Sequence, residues 1–196
     1  SGACLSPRYL DLPLEFDSLK AINAMVGSGG LVVMNQDTCM VQVARFFMQF
    51  TQSESCGKCV LCREGTYQML VLLDDIIEGR ADERTIGLLE SVARAVGNGS
   101  LCGLGKSAPN PVLSILRDFR GEFTAHIDHK RCPANKCTAL IRPVIRAEKC
   151  RGCGLCVKSC PTGAITGERK HAHIINEALC IRCGACLTTC KLGAIA

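Results

Sequence analysis

Residues 150–161 read CRGCGLCVKSCP, and residues 180–190 repeat this pattern as CIRCGACLTTC, thirty positions later. Each copy spaces its cysteines as Cys-x2-Cys-x2-Cys-x3-Cys. Thiolates at every third position wrap a tight turn around an iron–sulfur cubane and reach three of its irons, whereas the fourth cysteine leaves on the following helix and points elsewhere. The repeat therefore predicts two 4Fe-4S clusters in the last part of the chain.

The fourth cysteine of each motif is expected to bind the cluster of the other motif, as it does in two-cluster ferredoxins. The flanking segments also repeat, PTGAI at 161–165 against KLGAI at 191–195, so the duplication covers a whole structural unit. The predicted ligands are Cys150, Cys153, Cys156 and Cys190 for cluster 1, and Cys180, Cys183, Cys186 and Cys160 for cluster 2.

Disulfides and zinc knuckles are the alternative interpretations of this segment. Disulfides need an oxidising compartment, and nothing in the chain resembles a secretory signal. Repeated cysteine triads suit a shared inorganic core better than pairwise bridges. Zinc sites draw two ligands from each of two knuckles rather than three plus one. Iron–sulfur clusters are therefore the favoured interpretation.

Composition limits the remaining possibilities. Sixteen cysteines in 196 residues, without a signal peptide, indicate a reducing, metal-loading compartment, and we expect the cytoplasm. No apolar run approaches the roughly 18 residues of a membrane span. Because the chain begins with Ser1 rather than methionine, we expect a fragment or a processed product.

The formal charge of +5 counts every cysteine as neutral. A cluster with four thiolates carries roughly −2, so three such clusters would shift the total to about −1. The chain has no tryptophan, two tyrosines and no dense Lys/Arg run. It therefore lacks a stacking platform and a basic stripe, and we expect no nucleic-acid binding.

Residues 1–36 are expected to end a small α+β module. A helix over 16–24 precedes Gly27, Gly29 and Gly30 around Ser28, and an apolar strand is predicted over 31–34. A phosphate-binding loop needs the order strand, loop, helix. The order here is reversed, so the glycines predict a tight turn.

Residues 37–127 are expected to form a four-helix bundle. Caps and apolar periodicity predict helices that begin near Asp37 or Thr38, near Val60, at Asp82 and at Asn110. Short connections make successive helices antiparallel neighbours. The predicted buried face of the first helix comprises Val43, Phe46, Phe47 and Phe50.

The bundle topology predicts a third cluster. The loop between helices one and two lies at the same end as the loop between helices three and four. Three cysteines at x2 spacing in the first loop thus meet one remote cysteine in the second. The predicted ligands of this bundle 4Fe-4S cluster are Cys56, Cys59, Cys62 and Cys102.

The linker over 128–143 contains a candidate zinc loop. Cys132 and Cys137, with His126 just before them, can supply three ligands of a tetrahedral site. Cys39 is expected as the fourth ligand, because helix one begins where helix four ends, and Cys4 is the alternative. Otherwise these thiols are ordinary buried residues and His126 caps its helix. The remaining histidines, His129, His171 and His173, are expected at the surface.

The runs ESCGKCVLCREGT at 54–66, SLCGLG at 100–105 and APNP at 108–111 resemble the cluster-binding bundle of the NADH-oxidising flavoprotein subunit of respiratory complex I. The run GSGGLVVM at 27–34 is similar to the end of that family's ubiquitin-like β-grasp domain. A ferredoxin domain at 144–196 resembles instead the NAD-linked β subunit of multimeric, electron-bifurcating FeFe hydrogenases. NAD-dependent formate dehydrogenase subunits are the second resemblance. The implied fold class is α+β, with a partial β-grasp module, a cluster-binding bundle and a two-cluster ferredoxin.

This resemblance implies electron transfer. The family's FMN and NAD sites lie on an upstream domain that nothing in this chain matches, so both cofactors are expected only in the full-length parent, and no catalytic residue is expected here. The clusters would relay single electrons to other iron–sulfur subunits of a hydrogenase or dehydrogenase complex, with ferredoxin as a further candidate partner. A stand-alone ferredoxin-like carrier and an iron–sulfur regulator are the competing hypotheses.

Overall fold

Helices dominate the fold because apolar residues recur at three- and four-residue spacing through the middle of the chain. The computed structural model describes residues 2–27 and 29–195. The chain divides into two units, Ser1–Cys137 and Thr138–Ala196. Within the described ranges, no helix is long and apolar enough to cross a membrane.

The first unit is built from helices. Long helices α2, α3 and α4 follow one another, α2 packs against α3, α3 packs against α4, and α6 contacts both α2 and α4. The fully buried side chains between them include Met48, Met69, Leu73, Leu89 and Ile115. The bounds are α1 Phe16–Ala21, α2 Met40–Glu54, α3 Val60–Ile77, α4 Arg84–Gly99, α5 Gly103–Ser107, α6 Asn110–Asp118 and α7 Arg120–Ile127.

The buried face of α2 differs from the predicted one. Val41, Ala44 and Met48 are fully buried, whereas Phe46 and Phe50 are 66% and 52% exposed. The predicted face is therefore wrong for these two phenylalanines. The helix carries two apolar stripes, and the stripe with the slimmer side chains is the one that faces the neighbouring helices.

The predicted fourth helix is two helices. Phe119, between α6 and α7, leaves the helical conformation with φ −127° and ψ 29°. Gly121 follows two positions later, but an isolated glycine is tolerated inside a helix and does not by itself predict a break. Beyond it, Phe123 and His126 of α7 are completely buried. The short helix α5 also replaces part of a predicted loop.

The segment over 29–36 contains no strand, so the predicted strand over 31–34 is wrong for the described structure. Leu31, Val32 and Val33 are 69%, 76% and 87% exposed. A strand requires a partner for its backbone hydrogen bonds, and the described residues supply none here. The predicted turn includes Ser28, which lies outside the described residues, and its neighbours Gly27 and Gly29 both have positive φ.

The second unit consists of two structurally similar halves. Helices α8 (Leu155–Ser159) and α9 (Ala185–Thr189) pack against each other, and each begins after a glycine with φ 75°. Strands β1 (Ile165–Thr166) and β2 (Ile174–Ile175) pair antiparallel, with Ile165 opposite Ile175. A single bridge between Ile145 and Ile195 repeats that pairing in the other half. The unit is thus a small pseudo-symmetric α+β fold.

Candidate metal centres

The four cysteines predicted for cluster 1 surround one cavity. This cavity of about 450 Å³ is lined by the three cysteines of the first motif, Cys150, Cys153 and Cys156, and by Cys190 of the second. Ile145, Ala194 and Ile195 supply apolar walls. The space thus combines four thiols with a largely apolar surface, which suits a thiolate-ligated inorganic cluster.

The four cysteines predicted for cluster 2 surround a second cavity in the same way. This cavity of about 320 Å³ is lined by Cys180, Cys183 and Cys186 of the second motif and by Cys160 of the first. Ala164 and Ile165 stand here in the places that Ala194 and Ile195 take in the first cavity. The fold therefore directs the last cysteine of each motif into the cavity of the other motif.

Hydrogen-bond donors face the thiol of Cys160. Its sulfur accepts a bond of 3.2 Å from the backbone N–H of Ala164, and the Thr162 hydroxyl lies 3.7 Å away. Burial is the largest single effect and raises the pKa of Cys160, but the hydrogen bonds from Thr162, Ala164 and Ile165 together outweigh it and lower that pKa. In contrast, burial raises the pKa of Cys156 and of Cys186, the equivalent residues of the two motifs. A metal would therefore have to displace the protons of these two buried thiols.

In the first unit, the two predicted cluster loops meet at one end of the helices. The backbone N–H of Leu101, in the second loop, hydrogen-bonds the Cys59 sulfur and is the main reason that the pKa of Cys59 is lowered. A Cβ added at Gly105 would lie 3.2 Å from the Cβ of Cys62. Cys102 is therefore held in the same region as the cysteine triad, since it precedes Gly105 at the start of α5.

Close backbone approach is required at this end. A Cβ at Gly99 would lie 2.1 Å from Leu61 Cδ1, and a Cβ at Gly105 would lie 2.5 Å from Ser100. The Ser100 hydroxyl is buried without a hydrogen-bond partner among the described residues. Cys62 is buried, whereas Cys56 and Cys102 are exposed. The site has four thiols and an unpaired buried donor, which fits a cluster near the surface.

The predicted zinc ligands form a compact buried quartet. The ligand atoms of Cys39, His126, Cys132 and Cys137 all lie within 4.8 Å of one another, and all four residues are buried. Cys4, the alternative fourth ligand, is not part of the quartet. Its backbone N–H donates to the Ser114 hydroxyl at 2.9 Å, and burial raises the pKa of its thiol to about 11.

Three distances within the quartet are close to those of a tetrahedral metal site. Cys39 Sγ lies 3.7 Å from Cys137 Sγ, and His126 Nε2 lies 3.4 Å and 3.3 Å from these two sulfurs. Zn–S bonds of about 2.3 Å and a Zn–N bond of about 2.05 Å at tetrahedral angles require about 3.8 Å between sulfurs and about 3.6 Å between sulfur and nitrogen. A disulfide would need about 2.05 Å between sulfurs.

Surrounding hydrogen bonds orient the quartet. His126 Nδ1 lies 2.7 Å from the Glu122 carbonyl oxygen, which leaves Nε2 facing the sulfurs. The Glu122 carboxylate accepts a bond of 2.9 Å from the backbone N–H of Met40 and so fixes the start of α2 beside Cys39. Lys136 N–H and the Gln42 amide donate to Cys132 Sγ and Cys137 Sγ at 3.4 Å and 3.6 Å. Such outer contacts are typical of metal-ligating histidine and cysteine.

The quartet places a thiolate and an imidazolium side by side, away from water. Hydrogen bonds from the Cys137 and Cys39 thiols lower the pKa of Cys132. Burial opposes protonation of His126, but hydrogen bonds to the Cys132 and Cys39 sulfurs and to the Glu122 carbonyl outweigh it and raise its pKa to about 10. A buried thiolate needs a cation beside it. A divalent metal would supply that charge in place of the protons.

The other three histidines differ in their solvent exposure. His129 and His171 are exposed, as expected, but His173 is only 4% exposed, so its predicted surface position is wrong. It lines the cluster 1 cavity. No motif spacing marks this position, and its equivalent in the other half is Pro143, so the sequence alone did not indicate a buried histidine.

Two family models match the chain. Residues 42–126 match the NADH-ubiquinone oxidoreductase-F iron-sulfur binding region, and residues 149–195 match the 4Fe-4S dicluster domain. The two regions make this chain an iron–sulfur electron-transfer module.

Individual relatives specify the kind of module. The NADP-reducing hydrogenase subunit HndC of Solidesulfovibrio fructosivorans is 44% identical over 173 residues, which are 88% of this chain and 35% of that protein. An NADH-quinone oxidoreductase subunit of Rhizobium meliloti is 39% identical over 124 residues, 63% of this chain and 30% of that protein. The chain is thus similar to the iron–sulfur part of NADH-binding flavoprotein subunits, and it spans about a third of the length of these relatives.

Solved structures of NAD+-reducing [NiFe]-hydrogenases are also similar to part of this chain. The crystal structure of an NAD+-reducing [NiFe]-hydrogenase in the H2-reduced state superimposes with a TM-score of 0.58 at 30% identity. The match covers 64% of this chain and 21% of that chain. The air-oxidized state of the same kind of enzyme gives a TM-score of 0.57. The structural likeness therefore supports the same class of module.

Proposed function

We propose that this chain relays single electrons through three 4Fe-4S clusters within an NAD(P)-linked hydrogenase complex. The observation that carries the proposal is the placement of eight cysteines of the second unit, four around each of two cavities. A bound 4Fe-4S cluster takes up and passes on one electron at a time. The thiolates hold the clusters, and the apolar walls keep water from the sulfides.

The cysteines divide among the clusters by cavity and by loop. In the second unit, each cluster takes three ligands from one motif and the fourth from the other, because the cavities are lined in that way. In the first unit, Cys56, Cys59, Cys62 and Cys102 hold the bundle cluster. The hydrogen bond from Leu101 to Cys59 and the closeness of the Gly105 backbone to Cys62 support this assignment.

A hydrogenase-type parent is favoured by the extent of the alignments. The match to the hydrogenase subunit covers 173 residues. The first unit has 137, so this match extends into the ferredoxin-like unit. The match to the quinone oxidoreductase subunit covers 124 residues, fewer than the first unit contains.

The parent protein would supply what this module does not. FMN and NAD would bind elsewhere in the full-length subunit, and the clusters would carry electrons between the flavin and other iron–sulfur subunits or ferredoxin. The specific parent complex that we propose is an electron-bifurcating FeFe hydrogenase. The alternative parent complex is an NAD-dependent formate dehydrogenase.

The quartet of Cys39, His126, Cys132 and Cys137 is proposed to hold zinc. Its interatomic distances, its burial and its three sulfur donors suit a closed tetrahedral site, and a structural zinc has no redox role. The ligands come from the residue before α2, from α7 and from the loop after it. A bound metal would therefore fasten the loop over 132–137 to the helices, immediately before the second unit begins at Thr138.

Affinity purification of the full-length parent from its native cell, under anaerobic conditions, tests the function. Hydrogenase subunits should co-purify, and the complex should reduce NAD(P)+ with H2. Co-purification of a formate dehydrogenase, or a monomer with no partner in native extract, would contradict the proposed parent. The chain itself should contain about twelve irons with matching sulfide. A count of eight or fewer irons per chain in fully loaded material would contradict the presence of the bundle cluster.

Elemental analysis of the same material tests the zinc site. We expect about one equivalent of zinc per chain, since one quartet of ligands is present. The substitution Cys137→Ala should abolish zinc and leave iron unchanged, while the matched control Cys4→Ala, another buried cysteine outside the quartet, should retain both. If the wild-type chain contains about twelve irons but neither zinc nor a substitute metal, the four residues of the quartet are ordinary buried residues and not metal ligands.

A further inference from the structure

His173 presents an unpaired polar atom beside the cluster 1 cavity. The side chain is 4% exposed, and its Nδ1 is buried without a hydrogen-bond partner among the described residues. The same residue lines the cavity with Cys150, Cys153, Cys156 and Cys190. An unpaired buried nitrogen is costly because it has lost its hydrogen bonds to water, so a native structure is expected to give it a partner.

The surrounding backbone is built to hold the imidazole in place. Gly167 has φ +153°, and a Cβ there would lie 2.8 Å from His173 Cα and 2.9 Å from its Cγ. Only glycine therefore accommodates His173 at this distance. The loop before His173 is also tied to the first motif, because Lys170 N–H donates to the Gly152 carbonyl at 3.1 Å. The loop between β1 and β2 is thus held by the close packing of Gly167 against His173 and by the hydrogen bond from Lys170 to Gly152.

The thirty-residue repeat shows that this feature belongs to one cavity alone. Position 173 corresponds to position 143 in the other half, and Pro143 lines the cluster 2 cavity in its place. Ile145 and Ile175 are equivalent in the same way. Ile145 lines the cluster 1 cavity, and Ile175 lines the cluster 2 cavity. Proline has neither a side-chain donor nor a backbone N–H. The two cavities therefore differ by a buried imidazole in the cluster 1 cavity and by the Thr162 hydroxyl in the cluster 2 cavity, where the cluster 1 cavity has the equivalent Leu192.

We propose that the His173 ring donates an N–H hydrogen bond to a sulfur of cluster 1 and thereby raises the reduction potential of that cluster. The inference rests on the cluster assignment proposed above. Hydrogen bonds to the sulfurs are among the factors that set cluster potentials, because a donor stabilises the form that has gained an electron. The electron enters the cluster while the imidazole keeps its proton, so no bond breaks. Cluster 2 receives no equivalent donor from Pro143.

Exposed cations strengthen the difference only modestly. Arg151 and Lys191 line the first cavity, and the equivalent positions hold Ile181 and Pro161. Both cations are solvent-exposed. Water and salt screen exposed charges, so we assign the larger effect to the buried imidazole.

The test is a redox titration of the complete, metal-replete chain, followed by low-temperature EPR. His173→Phe keeps an aromatic ring but removes both nitrogens. We expect one of three midpoint potentials to fall by about 59 mV, which is a tenfold change for a one-electron couple, while the other two stay constant. His173→Gln, which keeps a donor, should restore part of the shift. His171→Phe, an exposed histidine of the same loop, should leave all three potentials unchanged.

A second measurement needs no substitution. The wild-type chain labelled with imidazole-15N histidine should show a weak 15N coupling to one reduced cluster in pulsed EPR. Absence of that coupling would overturn the proposal, and so would unchanged potentials in His173→Phe with full iron content. Failure of the cluster assignment itself is recognised separately, because wild-type iron would then fall below about twelve per chain.

Discussion

Crossed ligation in the second unit can be tested by counting irons in paired variants. Replacing Cys160 with alanine should remove the cluster held by Cys180, Cys183 and Cys186, although Cys160 belongs to the first motif. The reason is that Cys160 lines the second cavity. The pseudo-symmetric control, Cys190→Ala, should remove the other cluster, because Cys190 lines the first cavity.

The magnitude follows from the ligand sets. Three clusters give about twelve irons per chain, so each single variant should retain about eight. Adding Cys183→Ala to Cys160→Ala should change nothing further, because both residues serve one cluster. Adding Cys153→Ala to Cys160→Ala should leave about four irons, because two clusters are then lost. Such non-additivity is expected of residues that act as one unit.

Anaerobic iron and sulfide analysis of the four variants is the assay, with EPR of the reduced proteins to count the remaining signals. Crossed ligation is contradicted if the two double variants exchange their values, with about four irons in the variant that includes Cys183→Ala and about eight in the one that includes Cys153→Ala. If a single alanine variant already loses both clusters, serine variants of the same positions provide the comparison. Serine keeps an oxygen ligand, and the cluster whose EPR signal changes identifies the partner.

Three further predictions concern separate parts of the chain. Cys102→Ser should perturb only the bundle cluster, because its ligands lie in the first unit; EPR changes in the ferredoxin clusters would contradict this. Anaerobic iron chelation should unfold residues 138–196, whose halves are too small to bury a sufficient core, while the long helices persist; circular dichroism should show a partial loss, not a fully retained spectrum. Gly167→Ala should cost about 1–3 kcal/mol in denaturant unfolding, because φ is +153° and the new Cβ would meet His173. Gly163→Ala, with φ +64° and open space, should cost less.

The sequence predicts which cysteines and which histidine the fold brings together in the two cavities and in the quartet, because ligand chemistry restricts residue type and spacing. Cysteines at x2 spacing cannot be exchanged for other residues without losing a ligand. The quartet involves residues as distant as Cys39 and Cys137, yet short helix connections were enough to predict that they lie close together. The ends of α3 and α4 were also predictable to within a few residues, because apolar periodicity and glycines mark them.

Features that depend on tertiary packing were not predictable in the same way. Two stripes of α2 have comparable apolar character, and only the shape of the neighbouring helices selects Val41, Ala44 and Met48 over Phe46 and Phe50. The break at Phe119 is accompanied only by Gly121, two residues later, and an isolated glycine is tolerated inside a helix, so it does not predict the break. The apolar run over 31–34 satisfies the local preferences of a strand, but pairing is a non-local property, and the described residues offer no partner.

His173 shows why ligands are easier to predict than potentials. Any residue with an N–H or O–H group can donate to a cluster sulfur, so the donor has no fixed type or spacing that a motif could record. Position 173 became informative only when the fold placed it against the first cavity and placed Pro143 against the second. The repeat keeps the cysteines identical, whereas the residues around them have diverged. Two clusters with the same ligands can therefore differ in reduction potential. Under the proposal above, an electron that enters the second unit would reduce cluster 1 in preference to cluster 2.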